Sequence, residues 1–147
     1  YVGLSIKHER AHLARAVLEG VALNTRMTLD AIARTGRRRP GLRSIGGGTQ
    51  SDLWCQIVAD VTGERIQRTT NPRFAGAIGA GLLAAVATGV FPDLEAAAAR
   101  VRVDREYAPT PGSDAIYAPL YEAFREIVPA MSRASRALER CRREGDG

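Results

Sequence analysis

The sequence predicts an α/β fold, and three observations predict it. Segments with helical apolar periodicity alternate with short β-like runs. Three consecutive glycines join the first of those runs to a helix. Alanine is plentiful and aromatic residues make up only 5% of the 147, which favours closely packed helices over an aromatic-rich sandwich. Two or three short strands are too few for a self-contained doubly wound sheet, so the pattern reads as part of a larger one.

Residues 8–35 form a long helix, because Leu13, Val17, Val21 (or Ala22), Met27 and Ile32 recur at helical spacing between polar positions. Gly36 is placed to stop it. The basic run "RRRP", 37–40, reads as a solvated loop closed by Pro40. "LRSI", 42–45, is a strand that ends in the glycines. Residues 51–63 form a helix with Ser51 or Gln50 near its start and Gly63 at its end. Its apolar stripe is Leu53, Trp54, Ile57, Val58 and Val61. "RIQRT", 65–69, alternates as a brief strand, and "NPRF" then supplies a cap and a turn. An apolar helix spans about 73–89, with Gly89 and Pro92 to stop it. Asp93 is a natural N-cap for a short helix over 93–101. Residues 102–112 contain two prolines and read as an extended or irregular crossing. The final helix runs from about 113 to 143, with a kink expected at Pro129 and a charged, fraying tail.

With 45% hydrophobic and 25% charged residues, the chain is globular and about the size of one domain. The formal charge is +5, carried almost wholly by arginine. These arginines are scattered and few aromatics accompany them to stack bases, so they read first as a solvated surface, with nucleic acid as the less favoured partner. Cys55 and Cys141 stand far apart without CxxC spacing, which is neither a disulfide framework nor a zinc site; both read as reduced thiols of a cytoplasmic protein. Residues 74–91 carry no charge over 18 positions, the threshold length of a membrane span. They are mostly Ala and Gly and lack an aromatic belt, so the expectation is a helix buried in a globular domain and no membrane contact. No signal peptide is visible. The chain does not begin with Met, and "YVGLS" reads as the middle of a protein, so a piece of a longer chain is expected.

The stretch "IGGGTQSDLWCQIVAD", 45–60, carries the chemistry. A strand, a glycine turn and a helix make a recurrent phosphate-binding unit. Glycine lets backbone approach the ligand, and the helix start offers unpaired N–H groups. The turn is neither GxGxxG nor a P-loop, so spacing alone leaves both a ligand loop and a tight structural turn open.

"GGGTQSDLWCQIVADVTG" resembles the adenosine-binding segment of the FGGY carbohydrate kinases. "YVGLSIKHERAHLARAVLEG" resembles the second signature of that family, and "NPRFAGAIGAGLLAAVATGVFPDLEAA" the helix that follows the adenosine segment. "YAPTPGSDAIYAPLYEAFREI" resembles its closing proline turn and C-terminal helix. The resemblance runs through nearly the whole chain and leans towards xylulokinases. It implies part of an actin-like ATPase (ribonuclease H-like) domain. Residues 1–147 would be the C-terminal portion of the nucleotide-side domain, with the N-terminal sugar-binding domain absent. It further implies transfer of the γ-phosphate of ATP, with Mg²⁺, to a sugar or polyol hydroxyl. Gly46, Gly47 and Gly48 would pass the α-phosphate and adenosine, with Thr49 in the same turn and Ser51 and Asp52 near the purine or ribose. The catalytic aspartate and the glycine-threonine phosphate loop of the family would lie outside this chain, which alone is expected to bind nucleotide weakly and to catalyse nothing.

His8 and His12 have the i, i+4 spacing of a helical metal pair but no matching third ligand, and His12 reads as a structural hydrogen-bonder. Glu19 is expected to make a buried polar contact holding its helix to neighbouring loops. Trp54 reads as core rather than as an adenine platform, and Gly76, Gly79 and Gly81 as sites of close helix packing. Two functional readings stand: the ATP side of a sugar kinase, or a standalone basic module for nucleic acid or a protein partner. The long final helix can also pair with a second copy of the chain.

Overall fold

The computed structural model describes residues 1–36 and 41–145; the basic loop 37–40 and the very end of the tail lie outside the described residues. The elements are α1 (Arg10–Ala33), β1 (Leu42–Ser44), α2 (Asp52–Thr62), β2 (Ile66–Thr69), α3 (Ala75–Ala87), α4 (Leu94–Ala98), β3 (Val103–Tyr107) and α5 (Ser113–Gly145). Short 3₁₀ turns at Gly47–Gln50 and Pro72–Phe74 precede α2 and α3.

One sheet has the order β1-β2-β3. β1 and β2 are parallel, with Leu42 opposite Ile66 and Ser44 opposite Arg68, and α2 is the crossover between them. The segment read as an extended or irregular crossing is extended over Val103–Tyr107, where it forms β3, antiparallel to β2, with Gln67 opposite Glu106 and Ile66 opposite Tyr107. Only Tyr107 of its five residues is buried, so the strand lacks an apolar alternation. Cross-strand polar pairs hold it instead: Gln67 Nε2 donates to Glu106 at 2.7 Å, and Arg68 Nε to Asp104 at 2.9 Å.

α2 lies between the sheet and the α1–α5 pair. Ser51 caps it, its hydroxyl accepting from the Trp54 N–H at 3.3 Å, and Gly63 ends it at φ +70°. Cys55, Ile57, Val58, Ala59 and Val61 are buried, whereas Leu53 is 55% exposed and Trp54 half-buried. The buried face therefore faces both the sheet and the helices, wider than the stripe expected from sequence. Full burial of Ile57 contributes about 1.5–3 kcal/mol.

α1 offers Leu18, Ala22, Leu23 and Met27 to this core, while Val17 and Val21 stay about half exposed. The expected stripe is thus rotated by about one position, because α2 and α5 together set the contact face. α5 answers with Tyr117, Tyr121 and Phe124. Arg26 of α1 lies 4.5 Å over the Tyr121 ring and donates to the Val61 carbonyl at 3.1 Å, joining three helices. α5 continues as helix through Pro119 and Pro129.

α3 departs furthest from expectation. The apolar segment is a helix, but none of its residues is buried. It packs on α4 and the turn before it, and three short strands with one crossover helix leave it no face to cover. A Cβ built on Gly76, Gly79 or Gly81 meets no atom within 4 Å, so no close packing inside the described chain requires those glycines. Among the described residues, no helix is long and apolar enough to cross a membrane.

Candidate functional site

Parallel pairing puts the C-terminal ends of β1 and β2 side by side, so the segments that follow them meet. The first is the glycine turn. Gly46 has φ +98° and ψ 172°, a conformation essentially confined to glycine. Its N–H donates to the Pro72 carbonyl at 2.8 Å, which ties the turn to the segment after β2. Its own carbonyl accepts from the Thr49 N–H at 3.3 Å and the Thr49 hydroxyl at 2.7 Å. Thr49 is thereby buried as the staple of the turn.

Gly47 and Gly48 differ from Gly46. Both are exposed. A Cβ on Gly47 meets nothing within 4 Å, and one on Gly48 makes ordinary contact with the Trp54 indole at 3.5 Å. The fold itself thus demands glycine at 46, leaves 47 open to space, and would accept a Cβ at 48 in ordinary contact with Trp54. Beside the turn lies an open cleft of about 330 Å³, lined by Gln50, Arg68, Asn71, Pro72, Arg73 and Phe74, with Asp104. Asn71 takes φ +54°, which turns the chain into the cleft wall. Of this lining, the sequence reading placed only Gln50 near the turn. The signal that finds the rest is the Asn-Pro turn directly after the second of two parallel strands.

Asp52 opens α2 and is the hub of a charge network. One carboxylate oxygen accepts from Arg68 Nη1 at 2.9 Å and from the Tyr107 hydroxyl at 2.6 Å, and the other from Arg105 Nη1. Arg68 also binds Asp104. The hydrogen bond from Tyr107, followed by the charges of Arg105 and Arg68, holds the Asp52 carboxyl below the usual carboxylate range. Burial and the bond to Asp52 push the Tyr107 phenol up. The Arg68 guanidinium is held more firmly protonated, chiefly by its bond to Asp104. Ser51 spends its hydroxyl on the α2 cap. Of the six predicted site residues, then, Gly46, Thr49, Ser51 and Asp52 all have partners within the chain, and Gly47 and Gly48 are exposed next to Gln50 of the cleft lining.

The remaining polar candidates lie elsewhere. His12 Nδ1 accepts from the Glu9 N–H at 3.1 Å in a capping box at the start of α1, and His8 Nδ1 accepts from the Ser5 N–H at 2.8 Å. Glu19 accepts from Arg15 Nε and from the Tyr117 hydroxyl, both at 2.8 Å, so it ties α1 to a helix and not to a loop. Cys55 is buried, its thiol pushed up by burial and donating to the Thr49 carbonyl. No group of three His, Cys, Asp or Glu among the described residues is arranged to hold a metal. Arg65, Arg68 and Arg105 on and beside the sheet, and Arg15 and Arg125 on the helices, are paired with carboxylates.

Comparison with known proteins bears on the same residues. Residues 1–88 match the FGGY family of carbohydrate kinases, C-terminal domain. Xylulose kinase of Lactococcus lactis subsp. lactis is 31% identical over 99% of this chain and 29% of its own length. Autoinducer-2 kinase of Salmonella typhimurium is 36% identical over 94% of this chain and 26% of its own. The crystal structure of xylulose kinase from Rhodospirillum rubrum superposes with a TM-score of 0.75 at 34% identity, covering 90% of this chain and 27% of that one. The chain thus spans between a quarter and a third of the length of the relatives it matches.

Proposed function

The chain belongs to the FGGY family of carbohydrate kinases and carries part of its actin-like ATPase fold, and from that premise we propose that it is the adenosine-binding portion of an ATP-dependent sugar or polyol kinase. Residues 1–147 are, on this reading, the C-terminal portion of the nucleotide-side domain, and the sugar-binding domain and the general base come from other parts of the kinase. The observation that carries the proposal is the bare backbone at Gly47 and Gly48 beside the cleft, where nothing in the chain itself calls for glycine. The uncovered apolar α3 agrees with a larger protein.

The reaction is phosphoryl transfer. A sugar hydroxyl gives up its proton to a base and bonds to the γ-phosphorus as the bridge to the β-phosphate breaks, leaving ADP. This chain's share is binding: Gly46 fixes the turn, and Gly47 and Gly48 let the nucleotide approach the main chain. Asp52 holds the start of α2 against β2 and β3 through Arg68, Arg105 and Tyr107. Mg²⁺ would be held through the phosphates and residues outside this chain. A ketopentose such as xylulose is the first substrate to test, since two of the relatives described above are xylulose kinases. The experiment is ADP release by the native polypeptide that contains this sequence, across a panel of ketoses and polyols. Release with one sugar, weakened through the KM for ATP by Gly47→Val, is the expected result. Tight ADP binding with no sugar-dependent release would refute the kinase assignment.

A further inference from the structure

We propose that Arg73 is the residue of this chain that pairs with the diphosphate of the bound nucleotide, so that the cleft selects nucleoside di- and triphosphates over the bare nucleoside. The inference rests on the nucleotide reading above and adds to it a charged contact that the glycine turn does not supply. Arg73 is exposed in the wall of the cleft of about 330 Å³. Among the described residues no carboxylate, carbonyl or aromatic ring pairs with its guanidinium, whereas the other cleft cation, Arg68, is bonded to both Asp104 and Asp52 at 2.9 Å.

The charge balance singles it out. Arg68 and Arg105 stand against Asp52 and Asp104, two cations against two anions, so that network is neutral. Arg73 then adds a positive charge to the cleft that no other residue of its lining offsets. The backbone fixes where this charge stands. Asn71 takes the left-handed conformation, φ +54° and ψ 50°, and its carbonyl accepts from the Phe74 N–H at 2.9 Å. Pro72 is buried, and its carbonyl accepts from the Gly46 N–H at 2.8 Å. Arg73 therefore projects from a short 3₁₀ turn that is bonded directly to the first residue of the glycine turn.

The rest of the lining narrows the ligand. Phe74 is 61% exposed, and Gln50 brings a side-chain amide to the same cleft. An inorganic anion would pair with Arg73 and leave the Phe74 ring wet. A bare nucleoside would cover apolar surface and leave Arg73 without a counter-charge. A nucleoside diphosphate answers both, and the planar guanidinium offers its phosphate oxygens two parallel N–H donors.

The test is calorimetric titration of the native polypeptide that contains this sequence with ADP and with adenosine, without divalent cation, so that no metal masks the phosphates. Wild type should bind ADP more tightly than adenosine. Arg73→Gln should weaken ADP by about tenfold and leave adenosine unchanged, with Arg73→Lys between the two. Added salt should weaken ADP binding more steeply in wild type than in Arg73→Gln. Arg73 is exposed and bonds to nothing in the fold among the described residues, so Tm should hold in both variants. Adenosine bound as tightly as ADP, an ADP affinity unmoved by Arg73→Gln, or ADP and adenosine weakened by the same factor overturns the proposal and leaves the nucleotide assignment standing. Binding of neither ligand to wild type overturns both.

Discussion

Gly46→Ala and Gly47→Ala, one residue apart, should have opposite effects on stability. At Gly46, φ +98° and ψ 172° are held by the N–H bond to Pro72 and by the two bonds the carbonyl accepts from Thr49. An alanine there must keep a strained backbone, at about 1–3 kcal/mol, or give up those bonds. The narrower unfolded ensemble offsets only about 0.4–1 kcal/mol of this. At Gly47, φ is outside the left-handed range and the added Cβ meets no atom within 4 Å, so only the unfolded-state gain remains. The two variants should therefore differ by about 2 kcal/mol. With an m-value of about 1–3 kcal/mol/M, urea denaturation should separate their midpoints by roughly 1 M, Gly46→Ala falling below wild type and Gly47→Ala at or slightly above it. Equal losses would show that the fold itself requires Gly47, which removes the main reason to assign that position to a ligand.

Three further outcomes follow from the same geometry. Ile57→Ala should cost about 2–5 kcal/mol in chemical denaturation and Leu53→Ala no more than about 0.5 kcal/mol, because only Ile57 lies on the buried side of α2; similar losses would contradict that face. Asp52 has its folded-state pKa lowered, so its stabilisation is present above the ordinary carboxylate pKa and is lost as pH falls through the folded value. A Tm–pH profile should accordingly show an acid limb below about pH 4 that Asp52→Asn flattens; an unchanged limb would place the titration elsewhere. Tyr107, Tyr117 and Tyr121 are raised, chiefly by burial, so the stability they confer is present below about pH 10 and lost above it, and Tyr121→Phe should make the alkaline limb shallower.

The parts of the fold that local chemistry specifies were legible in the sequence. The limits of α2 follow from Ser51 and Gly63, and Asp93 caps α4 through a 2.7 Å bond from the Ala96 N–H. What depends on distant partners was not. β3 escapes notice because its cohesion comes from Glu106 and Asp104 pairing with Gln67 and Arg68, more than thirty residues away, and not from an apolar alternation. The burial of α3 was overestimated because hydropathy says that a helix wants cover and not whether the rest of the chain supplies it. At the turn, three successive glycines look alike in sequence. Only the backbone angles separate Gly46, which the fold requires, from Gly47, which it does not. The network around Asp52 joins residues 16, 53 and 55 positions apart and has no local signature.

Trp54 is the only tryptophan, and its indole lies beside the turn, where a Cβ added at Gly48 would meet it at 3.5 Å, so its fluorescence reports on the turn. Titration of the chain with ADP should give a saturable change in that emission, with an affinity weakened by the limited share of the site this chain supplies. Gly47→Val should abolish the change while leaving the denaturation midpoint near that of wild type. A flat titration with the wild-type chain, or the same saturation curve with Gly47→Val, would contradict the assignment of the glycine turn to nucleotide.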